Sequence, residues 1–241
     1  MEYGASGPCC QKDRLDTPPE DRYSPAVDIR YLLFDLDQTL YPASAGLLAE
    51  VDRRITAYTA SFLGVDLAKA ALLRKGLYNE HGTTLKGLIA EHGFDKVDDY
   101  LAMVHPENVG DFLSPDPGLD GMLARLPQGK SILTNSPGDH AERVLAVLGI
   151  RRRFDHVFDI KYNGYTGKPA PSCYRNAVKA VGGKIGEVLF LDDSIPYLTA
   201  FRDLGGQALL VAEDGCGGRD TRGLPWIRTV KDLPAWLEAA G

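Results

Sequence analysis

Cysteine is scarce in this sequence, and no pattern of cysteines or histidines predicts a metal or redox site. The 241 residues include only Cys9, Cys10, Cys173 and Cys216, and none of them forms a Cys-x-x-Cys pair. Zinc ribbons and dithiol redox centres are therefore disfavoured, and we expect free thiols in a reducing compartment. The five histidines are scattered without the spacing of zinc ligands.

Long apolar runs and an excess of positive charge are also missing. No stretch approaches the ~20 apolar residues that cross a bilayer. Lysine and arginine number 27 against 33 acidic residues, a net charge of −6, which disfavours a broad nucleic-acid-binding surface. The hydrophobic share of 44% and the charged share of 25% are those of an ordinary globular protein. We therefore expect a cytoplasmic monomer or homodimer that acts on a small molecule, with no membrane or nucleic-acid polymer as partner.

The chain contains three kinds of sequence. Residues 1–28 hold four prolines, charges of both signs and little apolar periodicity, which predicts a mobile tail. This segment lacks the apolar stretch of a signal peptide and the acid-poor composition of a transit peptide. Residues 43–112 carry helical patterns with no clear strand, which predicts an all-helical cap. Residues 29–42 and 113–241 alternate strand and helix and predict the core domain.

Five short apolar runs predict a buried parallel sheet. Such runs are typical of strands that helices cover on both faces. Helical patterns lie between them, and one helix is predicted to have Ser136 as its N-cap and Pro137 at its first position. The alternation predicts an α/β fold with a doubly wound parallel sheet. The runs are residues 29–34, 131–133, 157–160, 188–191 and 208–211.

Paired carboxylates follow two of these runs. Asp35 and Asp37 come after the first run, on one side of an extended segment, and Asp192 and Asp193 come after the fourth. Either pair alone is compatible with a polar strand end or a helix cap. Together they predict a cage of hard oxygen ligands that suits Mg²⁺. The helical insertion follows the first strand and is therefore predicted to lie over these carboxylates.

Two further segments carry groups suited to phosphate. Thr134, Asn135 and Ser136 follow the second run at the predicted start of a helix, where a hydroxyl and free N–H groups can hold an anion. Simple capping by Ser136 is the plainer alternative. Lys168 lies in a Gly-Lys-Pro turn, where a solvated surface lysine is the default interpretation. Near an acidic cluster, this cation would offset the charge of phosphate and carboxylate.

The order of these segments resembles the haloacid dehalogenase-like superfamily of phosphohydrolases. Asp-Leu-Asp-Gln-Thr at 35–39, Thr-Asn-Ser at 134–136, Gly-Lys-Pro at 167–169 and Asp-Asp-Ser at 192–194 follow one another, each after a strand or before a helix. The resemblance implies a Rossmann-like core, a helical cap inserted after the first strand, and Mg²⁺-dependent phosphoryl transfer.

The resemblance also implies roles for individual residues. Asp35 is the expected nucleophile, which forms an aspartyl-phosphate, and Asp37 is the expected general acid and later base. A carboxylate at position 37 favours phosphate over halide substrates. Thr134 and Lys168 complete the expected catalytic set. The expected metal ligands are Asp35, the main-chain carbonyl of Asp37, Asp193 and, directly or indirectly, Asp192, and the expected substrate contacts are Thr39, Asn135 and Ser136.

A narrower resemblance is to the pyrimidine 5′-nucleotidase group. It rests on the Asp-x-Asp-x-Thr-Leu-Tyr start, on the segment around Thr-Asn-Ser and on the cap segment 78–88. Thr83 and Thr84 in that segment are expected to face the substrate, although an ordinary helix–helix turn is an equal alternative. The usual Asn after Asp-Asp-Ser is replaced by the Pro196-Tyr197 region. The implied substrates are nucleoside 5′-monophosphates.

Other functions are compatible with the same motifs. A sugar-phosphate or phosphoglycolate phosphatase, or a phosphomutase, would share the core and differ in the cap. A phosphate-binding regulator without catalysis is a further alternative, which the complete set of catalytic residue types disfavours. His140, close to the second motif, is interpreted as a helix-surface residue rather than a substrate contact.

Overall fold

The protein forms a six-stranded parallel sheet with helices on both faces. The computed structural model describes residues 28–217 and 220–240, so the tail predicted for residues 1–28 lies outside the described residues except for Asp28. The strands are β1 Tyr31–Phe34, β2 Gly129–Leu133, β3 His156–Phe158, β4 Val188–Asp192, β5 Gln207–Val211 and β6 Trp226–Ile227. Their order across the sheet is β3-β2-β1-β4-β5-β6, and every neighbouring pair is parallel.

The helices fall into one group between β1 and β2 and another group that alternates with the later strands. The first group is α1 Leu47–Leu63, α2 Leu67–His81, α3 Thr84–His92, α4 Val97–Val104 and α5 Pro117–Arg125. The second group is α6 Gly138–Leu148, α7 Pro171–Ala180, α8 Ile195–Asp203 and α9 Leu233–Ala240. None of the helices in the described ranges is long and apolar enough to cross a membrane.

Two apolar cores cover the two faces of the sheet. Leu32 and Phe34 of β1 belong to the core formed with α5, α6 and α9, whereas Leu33 belongs to the core formed with α7 and α8. This division follows from the alternation of side chains along a strand. Because both faces are buried, the strands are continuous apolar runs. The predicted fold class, a doubly wound parallel α/β sheet of the Rossmann-like kind, is confirmed.

The strand order creates the crevice that holds the site. The chain runs from β1 outward to β2 and β3 and then returns to β4 on the other side of β1. Strand β1 therefore lies between β2 and β4, at the topological switch point. In open α/β sheets, ligands bind outside the carboxyl ends of the strands at this point.

Helices α1–α4 have an apolar core of their own. Its buried members include Leu77, Leu88, Phe94 and Tyr100, and Ile160 of the loop after β3 packs with them. The rings of Phe94 and Tyr100 meet edge to face, with centroids 5.9 Å apart. This separate core supports our proposal that residues 43–112 form a cap and residues 29–42 and 113–241 the core domain.

Two details of the predicted elements are wrong. Helix α6 begins at Gly138, because Pro137 is extended, with φ −72° and ψ 154°, and takes the N-cap position itself. Ser136 therefore does not cap this helix. The first N–H of the helix, that of Gly138, donates instead to Asp159 Oδ2 at 2.7 Å. Strand β6 was not predicted, because two residues are too few to show a strand pattern.

Candidate active site

The carboxyl ends of β1, β2 and β4 bring the predicted motifs together in one cavity. Asp35 and Asp37 follow β1, Thr134 follows β2, and Asp193 follows β4. The cavity has a volume of about 610 Å³, which is in the range of small-molecule sites. Helices α1–α4 form its opposite wall. Further lining residues are Asn135, Ser136, Lys168 and Tyr197 from the core, and Val51, Tyr78, Thr83, Thr84, Tyr100 and His105 from the other wall.

Lys168 is buried beneath this cavity and joins two of the motifs. Its Nζ donates to Asp35 Oδ1 at 2.6 Å and to Asp192 Oδ2 at 2.7 Å. Asn135 holds its backbone, since Nδ2 donates to the Lys168 carbonyl at 3.0 Å and Oδ1 accepts from the Lys168 N–H at 2.8 Å. A Cβ at Gly167 would lie 2.1 Å from Asn135 Oδ1, so this contact requires glycine there. The interpretation of Lys168 as a surface lysine is wrong.

Burial and the crowding of like charges shift the pKa values around Lys168. Burial raises the pKa of Asp35 and of Asp192, and the positive charge of Lys168 offsets this only in part. Burial and the charge of Asp35 raise the pKa of Asp193 to about 7. Burial alone would lower the pKa of Lys168. The negative charges of Asp192 and Asp35 outweigh the effect of burial and raise that pKa. A single ammonium group facing three carboxylates leaves an excess of negative charge.

The three carboxylates of this cluster fit a divalent cation. One oxygen from each of Asp35, Asp192 and Asp193 lies within 4.8 Å of the others. Asp192 already accepts from Lys168 and, at 2.7 Å, from the Ser194 N–H. Asp35 and Asp193 line the cavity and Asp192 does not, so Asp192 is suited to anchoring Lys168 and the other two are better placed to bind a metal directly. Hard oxygen donors with excess negative charge are what Mg²⁺ prefers.

Asp37 accepts three hydrogen bonds from side chains. Tyr41 Oη donates to Oδ1 at 2.6 Å, Ser136 Oγ donates to Oδ2 at 2.7 Å, and His140 Nε2 lies 3.1 Å from Oδ1. Burial alone would raise the pKa of Asp37. The positive field of His140, together with the hydrogen bonds from His140, Tyr41 and Ser136, outweighs burial and holds that pKa well below its usual range. Asp37 is therefore a carboxylate in the ligand-free protein.

His140 and Tyr41 are functional candidates that the sequence reasoning missed. His140 is fully buried, so its interpretation as a helix-surface residue is wrong. Its apolar neighbours along α6 follow the helical period that faces the core, and position 140 lies on that same face one turn before Val144. The spacing of apolar residues along α6 could therefore have predicted that His140 is buried. Tyr41 is the last residue of the Asp-x-Asp-x-Thr-Leu-Tyr segment, which predicted no separate role for it.

Of the predicted substrate contacts in the core, Thr134, Asn135 and Ser136 line the cavity and Thr39 does not, and all four side chains are already engaged. Thr39 Oγ1 donates to Asp35 Oδ2 at 3.3 Å, and Thr134 Oγ1 accepts from the Ser136 N–H at 3.0 Å. The side chain of Asn135 supports Lys168, and that of Ser136 supports Asp37. These residues fix the geometry of the carboxylates. At the start of α6, the N–H of Gly138 is not free for a phosphate, because it donates to Asp159.

The break between α2 and α3 faces the cavity. Gly82, at φ +85°, ends α2, and Thr83 caps α3 by accepting from the Lys86 N–H at 3.1 Å. This break exposes Thr83 and Thr84 to the cavity. Both predicted cap residues thus line the same space as Asp35. Their proposed contact with substrate remains a prediction.

Comparisons with known proteins identify the family to which this sequence is similar. The sequence matches the haloacid dehalogenase-like hydrolase family over residues 29–205. It is 27% identical over 215 residues to phosphate metabolism protein 8 of Saccharomyces cerevisiae, an alignment that covers 83% of this chain. The alignment spans 66% of that relative's length, which is just under two thirds.

Solved structures share the fold. A HAD phosphatase from Thermococcus onnurineus superposes with a TM-score of 0.60 at 18% identity, covering 87% of this chain and 98% of that one. The L-2-haloacid dehalogenase from Xanthobacter autotrophicus gives a TM-score of 0.56 at 18% identity, covering 88% and 100%. The family match extends over most of the chain, from residue 29 to residue 205. The chain belongs to the haloacid dehalogenase-like hydrolase family.

Proposed function

We propose that the protein is a Mg²⁺-dependent phosphomonoesterase that acts through an aspartyl-phosphate, with pyrimidine nucleoside 5′-monophosphates as substrates. The observation that carries this proposal is the position of Asp35. Its carboxylate lines the cavity, Lys168 and Thr39 each hold one of its oxygens, and Asp193 lies beside it. A carboxylate fixed in this way is a preorganised nucleophile.

The first step transfers the phosphoryl group to Asp35. A carboxylate oxygen of Asp35 attacks phosphorus, an oxygen–phosphorus bond forms, and the bond from phosphorus to the leaving oxygen breaks. Asp37 gives a proton to that oxygen, which departs as an alcohol. The bound phosphate brings negative charge next to Asp37, which raises its pKa towards the protonated form that this step needs.

The second step returns Asp35 to its initial state. Water attacks phosphorus, the bond between phosphorus and Asp35 breaks, and inorganic phosphate forms. The ionised Asp37 takes a proton from the attacking water. Asp37 gives up that proton to solvent once phosphate has left, which agrees with its low pKa in the ligand-free protein.

The carboxylate cluster is where a cation would bind. Asp35, Asp193 and the main-chain carbonyl of Asp37 would hold it, and Asp192 would support the cluster through Lys168. When bound, Mg²⁺ supplies positive charge that offsets the charge of the phosphate. Lys168 supplies the permanent part of that charge in this chain.

The cavity favours a substrate of nucleotide size. Its volume of about 610 Å³ exceeds what a phosphate group occupies. Val51 and Tyr100 give the far wall an apolar and aromatic surface, and Thr83 and Thr84 supply hydroxyl groups. This mixture suits a planar base with polar edges. The name of the yeast relative, which refers to phosphate metabolism, agrees with a phosphate ester as the substrate, and the composition agrees with a cytoplasmic reaction.

A screen of phosphorylated metabolites tests this proposal. We expect phosphate release from uridine and cytidine 5′-monophosphates in the presence of Mg²⁺, loss of the activity after exhaustive chelation, and recovery on adding Mg²⁺ back. Release only from sugar phosphates or phosphoglycolate would move the substrate class to those compounds. Binding of phosphate without turnover of any ester would favour the regulator and contradict an enzyme. Full activity after chelation would contradict the metal site.

A further inference from the structure

The least explained polar side chain at this site is His140. It lies in the first turn of α6, is completely buried, and occupies the space between Asp37 and His105. Its ring centroid is 4.9 Å from that of His105 at an angle of 53°. Its Nδ1 has no hydrogen-bond partner among the described residues.

Within the part of the chain that the structure describes, the hydrogen bond of the His140 side chain is directed at Asp37. A carboxylate oxygen can only accept, so the 3.1 Å contact makes Nε2 the donor to Asp37 Oδ1. An imidazole ring buried with one unpartnered nitrogen has a desolvation cost that an aliphatic side chain at the same position would avoid. Packing alone therefore does not explain a histidine there, whereas a donor aimed at Asp37 does.

The contacts of Asp37 explain why a donor is needed at this position. Ser136 holds Oδ2 alone, while Tyr41 and His140 approach Oδ1 from two different segments of the chain. Tyr41 lies four residues after Asp37 in the same loop, and its ring is buried in the core on that face of the sheet. His140 belongs to α6, which is packed into the core of the sheet. The two donors therefore hold Oδ1 from separate segments, and His140 is the one that fixes it to a helix rather than to the loop of Asp37 itself.

We propose that His140 is a positioning residue that fixes the Asp37 carboxyl group for proton transfer to the leaving oxygen. The inference rests on the proposed function, because it assigns Asp37 to that transfer. The proton moves from Asp37 to the leaving oxygen as the phosphorus–oxygen bond breaks, and His140 keeps its own proton throughout. Catalytic geometry is sensitive to displacements of about 1 Å, so one lost contact at Oδ1 has a measurable effect.

The test uses two variants and two kinds of leaving group. His140→Leu removes the donor at similar volume, and His140→Gln places an amide N–H where Nε2 lies. The substrates are p-nitrophenyl phosphate, whose leaving group departs without a proton, and uridine 5′-monophosphate or the best alkyl phosphate from the screen, whose leaving group needs one. The value of kcat/KM is measured because it covers the chemistry only up to the first phosphoryl transfer.

We expect His140→Leu to lower kcat/KM for the alkyl phosphate at least about tenfold more than for p-nitrophenyl phosphate, in line with the usual size of acid catalysis. His140→Gln should restore the alkyl phosphate value to within roughly threefold of wild type. Val144→Ala, a buried change one turn further along α6, is the control for a loosened helix. It should lower stability and leave the ratio of the two kcat/KM values unchanged.

Two results would overturn the inference, and they are distinguishable from failure of the proposed function. If wild type is active and His140→Leu lowers both kcat/KM values equally, or lowers neither, His140 does not position Asp37, and the phosphatase proposal stands. If wild type hydrolyses neither substrate, the proposed function fails and the inference fails with it.

Discussion

The hydroxyl groups of Tyr78 and Tyr197 lie 2.9 Å apart and join helix α2 to helix α8 across the mouth of the cavity. Tyr197 also accepts from Asn135 Nδ2 at 3.4 Å, and its ring faces Lys168 Nζ, which lies 5.1 Å from the ring centroid. One side chain thus contacts the wall above the cavity, the loop after β2 and the buried lysine. Tyr197 follows Pro196 in the region where the sequence departs from the resembled family's pattern, and it is one of the points at which α1–α4 contact the rest of the fold.

Removing this contact is expected to weaken closure of the site. Tyr78→Phe deletes one hydroxyl, and a hydrogen bond of this kind contributes about 0.5–1.5 kcal/mol. We expect kcat/KM to fall roughly two- to tenfold while the free energy of unfolding changes by less than about 1 kcal/mol, because Tyr78 is 43% exposed. Steady-state kinetics and urea titration measure the two quantities.

A matched tyrosine provides the control for this prediction. Tyr162 is 52% exposed and packs its ring on Phe158, with centroids 5.0 Å apart. Tyr162→Phe keeps that packing and should leave kcat/KM unchanged. A wild-type kcat/KM in Tyr78→Phe would show that the contact plays no part in turnover.

Asp35→Asn tests the nucleophile. The amide keeps the size of the carboxyl group but is a poor nucleophile, so turnover should be abolished. The circular dichroism spectrum and cooperative unfolding should persist, because the buried site loses one of its crowded negative charges and no volume. Substantial phosphate release by this variant, with the sequence verified by mass spectrometry, would refute the assignment of Asp35.

Lys168→Met tests the charge balance of the site. It leaves Asp35 and Asp192 buried without their cation, and breaking a buried ion pair in this way typically costs about 3–5 kcal/mol. We expect a loss of that size in the free energy of unfolding at neutral pH. The deficit should shrink as the pH falls, since protonation then neutralises the two carboxylates.

The comparison variant for the lysine is Lys179→Met in the last turn of α7, an exposed position. Its free energy of unfolding should stay within about 0.5 kcal/mol of wild type. Equal stabilities of the two lysine variants in chemical denaturation would contradict a structural ion pair at position 168.

The carboxylate cluster could be predicted because it depends only on strand ends. Asp35 and Asp193 are far apart in sequence, but parallel strands place their carboxyl ends at one edge, so the pattern of apolar runs was sufficient. The same reasoning placed Thr134 beside them. The position of Lys168 beside these carboxylates could be assigned only through the family resemblance, because its own turn gives no local sign of burial.

The partners of Asp37 could not be predicted, because tertiary packing decides them. Ser136 turns to Asp37 since α6 begins one residue later than its capping pattern indicates. His140 reaches the same carboxylate across 103 positions of sequence. Local propensity and period identify the helix and its buried face, but which loop that face meets depends on how α6 packs on the sheet.

Buried His105 predicts a specific loss of stability in acid. Burial and the positive field of His140 lower its pKa from 6.5 to about 4, while its Nδ1 donates to the Leu101 carbonyl at 2.9 Å. The unfolded chain therefore binds a proton at His105 below about pH 6.5 that the folded protein refuses until about pH 4. The contribution of His105 to the free energy of unfolding is therefore complete above pH 6.5. It falls by roughly 3 kcal/mol as the pH drops to 4.

The measurement for this prediction is the free energy of unfolding from pH 7 to pH 4, compared with His105→Asn. Asparagine can keep the hydrogen bond to Leu101 but does not titrate, so the two curves should converge as the pH falls and the wild type should have the steeper slope. His92→Asn, at an exposed position at the end of α3, should run parallel to wild type. Parallel curves for wild type and His105→Asn would mean that His105 takes up its proton equally well in the folded and unfolded states.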